Sequence, residues 1–180
     1  MWMSPICLVS EAAEFAARRH TGMARKGRGN EPYINHLAEV ANLLATAMGG
    51  RDAELVAAAW LHDTIEDTGT TREELAQRFN QRVASLVQEV TDDMRLPKST
   101  RRRLQIVDSP GKSPSAKLIK IADKISNIRA RIHSDPTPDE RADLIDYVDW
   151  AEQVVAGCRG VNPALDQMFD DAVKLARSCP

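Results

Sequence analysis

Four side chains could do chemistry together: His36, the adjacent pair His62 and Asp63, and Asp123. His62 and Asp63 follow directly on the apolar run Leu55-Val-Ala-Ala-Ala-Trp-Leu61, and Asp123 falls between Leu118-Ile-Lys-Ile-Ala122 and Ile125. An ionisable group that emerges from a buried run must be satisfied, because an unpaired buried charge is costly. One His–Asp pair alone is more often an internal hydrogen bond than a ligand set. Three segments that each deliver an imidazole or a carboxylate from an apolar background shift the balance toward a bound cation. Two imidazoles and two carboxylates form a mixed nitrogen and oxygen set suited to a borderline divalent ion such as Mn²⁺, Fe²⁺ or Zn²⁺. Four protein ligands would leave positions on a five- or six-coordinate ion for water and substrate, as catalysis requires.

Glu66 and Asp67 come next. If the helix continues past Asp63, they lie four residues beyond His62 and Asp63 and on the same side as those ligands. Paired carboxylates beside activated water can orient it or take its proton. The plainer reading is a helix end finished with solvated acids, yet acids at a C-terminus oppose the helix dipole.

The elements that must position these residues read as helices. Apolar positions recur at a spacing of three to four over Glu11–His20, and Gly22 ends that segment. A loop of charge and glycine, Arg25-Lys26-Gly27-Arg28-Gly29-Asn30, precedes a helix opened by Pro32 and stopped by Gly49-Gly50. Asp52 caps a third helix through Trp60 and His62. Thr70 and Thr71, followed by Glu73 and Glu74, give a capping-box pattern. Further helices are expected over Asn80–Val90, Ser99–Val107, Ser115–Ile132, Asp139–Ala156 and Pro163–Ala176. No alternating strand is evident. The expected fold class is all-α, a bundle of about eight helices.

Composition agrees. The chain has 180 residues, 43% hydrophobic, 28% charged and only 4% aromatic. That length suits one domain, expected over residues 1–180, with a close-packed core of Ala, Leu, Val and Ile. No apolar run approaches a membrane span, and the N-terminal stretch lacks the leading positive charge of a secretory signal. Cys7, Cys158 and Cys179 are odd in number and far apart, the pattern of reduced thiols in a cytoplasmic protein. The net charge of −2 is unevenly spread: residues 95–131 carry eleven basic and two acidic side chains. A basic block inside an acidic chain suits a local polyanion site and not a general nucleic-acid surface. Neither a nucleic-acid nor a membrane partner is expected. Lys98, after Pro97, is read as a phosphate ligand carried on a loop. Arg101, Arg102 and Arg103 are read mainly as a solvated helix face.

His36, the His62-Asp63 doublet and Asp123 resemble the HD superfamily of metal-dependent phosphohydrolases. The segments His20-Thr-Gly-Met-Ala-Arg25-Lys26, Glu31-Pro-Tyr-Ile-Asn-His36, Leu61-His-Asp-Thr-Ile-Glu-Asp67, Thr91-Asp-Asp93 and Lys117-Leu-Ile-Lys-Ile-Ala-Asp-Lys-Ile-Ser-Asn-Ile-Arg129 are similar to the hydrolase domain of the RelA/SpoT proteins. The tail Tyr147-Val-Asp-Trp-Ala151 is similar to the small stand-alone hydrolases of that family, the metazoan SpoT homologues among them. The resemblance spans about residues 10–175. It implies hydrolysis of the 3′-pyrophosphate of guanosine tetra- or pentaphosphate, releasing pyrophosphate and GDP or GTP. It also implies one Mn²⁺ held at His36, His62, Asp63 and Asp123, with Glu66 and Asp67 as the catalytic acidic pair. Arg25 and Lys26 would line the nucleotide pocket, Asn127 would contact the nucleotide near the metal, and Tyr147 would lie at its ribose and 5′-phosphate side.

Some positions depart from the family pattern. Leu37 stands where Pro is common, Ser126 where His or Tyr precedes the asparagine, and Asp143 where some relatives carry Arg, with Arg141 nearby. His20 is read as structural and His133 as solvated. No synthetase or regulatory region is apparent, so a hydrolase without alarmone synthesis is expected. Two other readings share these residues. One is a phosphatase for another phosphorylated nucleotide, such as the 2′-phosphate of NADPH. The other is a non-catalytic alarmone-binding protein, which would have no need of Glu66 and Asp67.

Overall fold

A computed structural model describes residues 3–25, 30–132 and 136–179. The described residues form ten α-helices and one short 3₁₀ helix: α1 (Pro5–Arg19), α2 (Ile34–Ala47), α3 (Ala53–Leu61), α4 (Thr64–Thr68), α5 (Arg72–Arg78), α6 (Gln81–Val90), α7 (Lys98–Asp108), the 3₁₀ turn (Ser109–Gly111), α8 (Pro114–Arg129), α9 (Pro138–Ala156) and α10 (Pro163–Ser178). No strand is present among them; Ala24 and Pro32 form an isolated bridge. The all-α class is as expected, and the elements outnumber the eight anticipated. None of the helices is long and apolar enough to cross a membrane.

Most helix starts are written in the sequence as caps. Ser4, Asp52, Thr71, Asn80, Ser113, Thr137 and Asn162 each accept a first-turn backbone N–H. Pro5, Pro114, Pro138 and Pro163 sit in the first turn, where a missing N–H costs nothing. For this reason α1 begins at Pro5, six residues before the start expected from periodicity. Pro32 does not open α2. It pairs with Ala24 across the glycine-rich loop, and the helix starts at Ile34.

The chain divides into two compact units, residues 1–95 and 96–180. In the first, α3 packs against α1, α2 and α6. Its side chains from Leu55 to Ala59, and Leu61, are buried almost without exception, and the alanines let neighbouring helices approach closely. In the second, α8 packs against α9 and α10. It contributes Ile119, Ile121, Ala122, Ile125 and Ile128 to a core that also holds Leu144, Val148, Leu165 and Phe169. Each unit therefore has a largely buried helix, and each of these helices carries or ends at residues of the chemical motif.

Candidate active site

In the first unit the break between α3 and α4 positions two of the motif residues. The helix expected to continue through His62 stops at Leu61, and its terminal carbonyls are taken up by side chains. Thr64 Oγ1 donates to the Leu61 carbonyl at 2.6 Å, and His62 Nδ1 lies 2.8 Å from the Ala59 carbonyl. A carbonyl only accepts, so Nδ1 carries a proton and the ring is oriented with Nε2 toward the site. His36, in the first turn of α2, is buried beside it, with the two rings 5.1 Å apart. Both imidazoles aim at one carboxylate oxygen: Asp63 Oδ2 lies 3.1 Å from His62 Nε2 and 3.5 Å from His36 Nε2. Burial pushes the Asp63 carboxyl up, but the His62 and His36 imidazoles outweigh it and hold the group well below the usual carboxylate range. Two imidazoles and an ionised carboxylate converging in this way could hold a divalent metal ion.

Glu66 and Asp67 lie on the separate helix α4, with Asp67 N–H donating to the Asp63 carbonyl at 2.9 Å. The near-helical backbone at His62 and Asp63 keeps this pair about one turn beyond them even though α3 has ended. Glu66 Oε1 accepts from the Asp92 backbone N–H at 2.5 Å, which ties the acidic pair to the loop after α6. Asp67 is pushed above its ordinary value, first by burial and then by the Asp63 carboxylate; His20 and the Tyr33 hydroxyl partly counter this. The Arg25 guanidinium approaches His36 Nδ1 at 3.3 Å and Glu31 at 3.6 Å. Lys26 and His133 lie outside the described residues.

In the second unit Asp123 stands on α8 with both carboxylate oxygens engaged. Oδ1 accepts from Asn127 Nδ2 at 2.5 Å and Oδ2 from Lys124 Nζ at 2.7 Å. The one-turn spacing anticipated between Asp123 and Asn127 is therefore a direct hydrogen bond. Arg131 donates to the Asn127 carbonyl at 2.7 Å and lies over the Tyr147 ring at 3.9 Å. Burial raises the Tyr147 hydroxyl, keeping it a neutral phenol.

Two expectations about the basic residues need correction. Lys98 is not on a loop: it is the exposed first residue of α7, because Pro97 supplies the extended residue that starts that helix. Arg102 is not simply solvated: its guanidinium lies 4.6 Å from the Trp150 ring centre, and it donates to the Asp146 carbonyl. Trp150 donates back to the Arg102 carbonyl at 3.0 Å and also faces Lys124 Nζ at 4.6 Å. Sequence reasoning gave no role to Tyr33, Lys124 or Trp150. Tyr33 carried one usable signal, its place one helical turn before His36 inside a motif segment. Trp150 and Lys124 meet only through tertiary packing.

Fold and motif together define a helical protein of the HD class. The HD domain family matches residues 12–146, three quarters of the chain, and the chain belongs to that family. The human guanosine-3′,5′-bis(diphosphate) 3′-pyrophosphohydrolase MESH1 is 45% identical over 164 residues, covering 91% of this chain and 92% of that protein. The Drosophila melanogaster protein of the same name is 38% identical, with 93% of each chain covered. A solved structure described as a metazoan ortholog of SpoT that hydrolyzes ppGpp superposes with a TM-score of 0.87 at 34% identity, covering 100% of this chain and 99% of that one.

Proposed function

We propose that this protein is a metal-dependent hydrolase that removes the 3′-pyrophosphate of guanosine 3′,5′-bis(diphosphate), releasing pyrophosphate and GDP, or GTP from the pentaphosphate. The observation that carries the reading is the convergence of His36 and His62 Nε2 on Asp63 Oδ2, with Glu66 and Asp67 one turn further on. The resident ion is Mn²⁺, the protein acts in the cytoplasm, and residues 1–180 act as one catalytic domain. His36, His62, Asp63 and Asp123 hold the ion. Bound there, it would polarise a phosphoryl oxygen and lower the pKa of water.

The chain's own residues do the rest. Glu66 and Asp67 orient the attacking water and accept its proton as its oxygen bonds to phosphorus. The bond from phosphorus to the ribose 3′-oxygen breaks, and that oxygen leaves as a hydroxyl by taking up the proton that the acidic pair accepted from the water. Arg25, Lys26 and Lys98 offset the phosphate charge. Asn127, held by Asp123, contacts the nucleotide near the metal, and Tyr147 flanks the ribose. An intact acidic pair supports turnover over mere binding.

The test is chromatography of products after the Mn²⁺-loaded protein is incubated with guanosine tetraphosphate, with NADPH alongside. GDP and pyrophosphate should appear in equal amounts. Release of phosphate from NADPH with the tetraphosphate left intact would overturn the substrate, and no turnover of either would overturn the activity.

A further inference from the structure

Beneath the His36–His62–Asp63 cluster lies a second layer made of Tyr33 and His20. The Tyr33 hydroxyl donates to Asp63 Oδ2 at 2.6 Å, the length of a charge-assisted O–H···O⁻ bond. This is the same oxygen toward which both imidazoles point. Tyr33 is held on three sides. Its backbone N–H donates to the Met23 carbonyl at 2.9 Å, its ring meets His36 edge-on at 5.5 Å, and the His20 ring stacks on it at 5.3 Å and 16°.

His20 is itself fixed. It is 3% exposed, and its Nδ1 lies 2.9 Å from the Ala16 carbonyl, so Nδ1 carries the proton and the ring plane is set. Its Nε2 is buried with no hydrogen-bond partner among the described residues. A phenylalanine would fill the same space without burying a nitrogen. Besides its effect on Asp67, histidine adds the Nδ1 anchor to α1, and through the stack that anchor fixes the Tyr33 ring. Position 20 therefore reads as more than structural filling.

We propose that Tyr33 is a positioning residue for the metal ligand Asp63, and that His20 acts through Tyr33 by fixing the plane of its ring. The inference rests on the reading of Asp63 as a ligand. A carboxylate that binds a metal through one oxygen can rotate about its Cβ–Cγ bond, and the Tyr33 hydroxyl opposes that rotation. Outer partners of this kind govern metal affinity by 10- to 100-fold in typical sites.

The experiment is calorimetric titration of Mn²⁺ into the metal-stripped full-length protein, with each variant's thermal unfolding midpoint measured alongside. Tyr33→Phe removes one oxygen and should weaken Mn²⁺ about tenfold while the midpoint of the stripped protein stays near native. His20→Ala should weaken Mn²⁺ similarly. The double variant should bind no more weakly than the weaker single one, since both changes remove the same constraint. Native-strength binding by Tyr33→Phe, or effects that simply add in the double variant, would overturn the proposal. If His20→Ala fails to fold, Tyr33→Phe alone decides. Asp63→Asn separates this idea from the one beneath it. If that variant binds Mn²⁺ as the native protein does, the ligand assignment falls; if it loses Mn²⁺ while Tyr33→Phe keeps it, only the positioning role falls.

Discussion

Asp123 and Asp63 are the carboxylates on which the proposed centre depends, and Asp123→Asn is the sharper probe because it keeps size and one acceptor oxygen. It should abolish both stoichiometric Mn²⁺ binding and turnover; retained Mn²⁺, read by metal analysis after gel filtration, would remove Asp123 from the centre. Glu66 and Asp67 should behave differently. Changing both to Ala is expected to lower kcat by about 100-fold or more, the usual scale of lost acid–base assistance, with Mn²⁺ still bound. Because Glu66 also accepts the Asp92 N–H, Glu66→Gln, which keeps an acceptor, should separate loss of the base from loosening of that loop. The basic residues divide on structural grounds. Neutralising Lys98 should raise KM for guanosine tetraphosphate about tenfold, one charge-assisted contact's worth. Neutralising the exposed Arg103 should change it little. Arg102 is no control for a solvated charge, because it packs on Trp150.

At the scale of elements, the tightest constraint is where α9 ends against the 3₁₀ turn. A Cβ at Gly157 would lie 2.8 Å from Ser109 Cβ and Pro110 Cδ and 2.9 Å from the Pro110 nitrogen. Backbone cannot step aside as a side-chain tip can, so Gly157→Ala should destabilise the protein by about 1–3 kcal/mol, measured by urea unfolding. The next residue, Cys158, is fully buried, and burial raises its thiol above the ordinary value. Below that raised value the group stays a neutral thiol and a poor nucleophile. In the folded protein at neutral pH, Cys7, which is exposed, should react readily with a disulfide reagent, and Cys158 only after unfolding. Most elements were legible in the sequence because caps and prolines are local signals: Asn80, Thr71 and Pro163 stand within one residue of where they were expected to act. The proposed metal set rests on a related signal, since His62 and Asp123 are anomalies in apolar runs. The break at Leu61 was not, because the backbone stays near-helical and only the side-chain bonds of His62 and Thr64 end the ladder. Tyr33 on Asp63 and Arg102 on Trp150 join residues 30 and 48 positions apart; no periodicity encodes such meetings.

At the scale of the molecule, a metal held by the proposed ligands should stabilise the fold. A ligand that binds only the folded state stabilises it by about 2.7 kcal/mol at one hundred times its Kd. For a chain of this length that corresponds to roughly 5–10 °C in Tm. Chelation should lower Tm by that amount, Mn²⁺ should restore it, and Asp123→Asn should show neither effect. The basic block of residues 95–131 against an otherwise acidic chain predicts that KM rises with ionic strength while kcat holds, because screening weakens attraction of a polyanionic substrate more than the chemical step.

The most direct measurement is a ³¹P NMR time course of guanosine tetraphosphate with the metal-stripped protein, before and after addition of Mn²⁺. The 3′-diphosphate resonances should persist until Mn²⁺ is added. They should then give way to free pyrophosphate while the 5′-diphosphate resonances remain. Equal loss of the 3′ signals without metal, or loss of the 5′ signals in their place, would contradict a metal-dependent 3′-pyrophosphohydrolase.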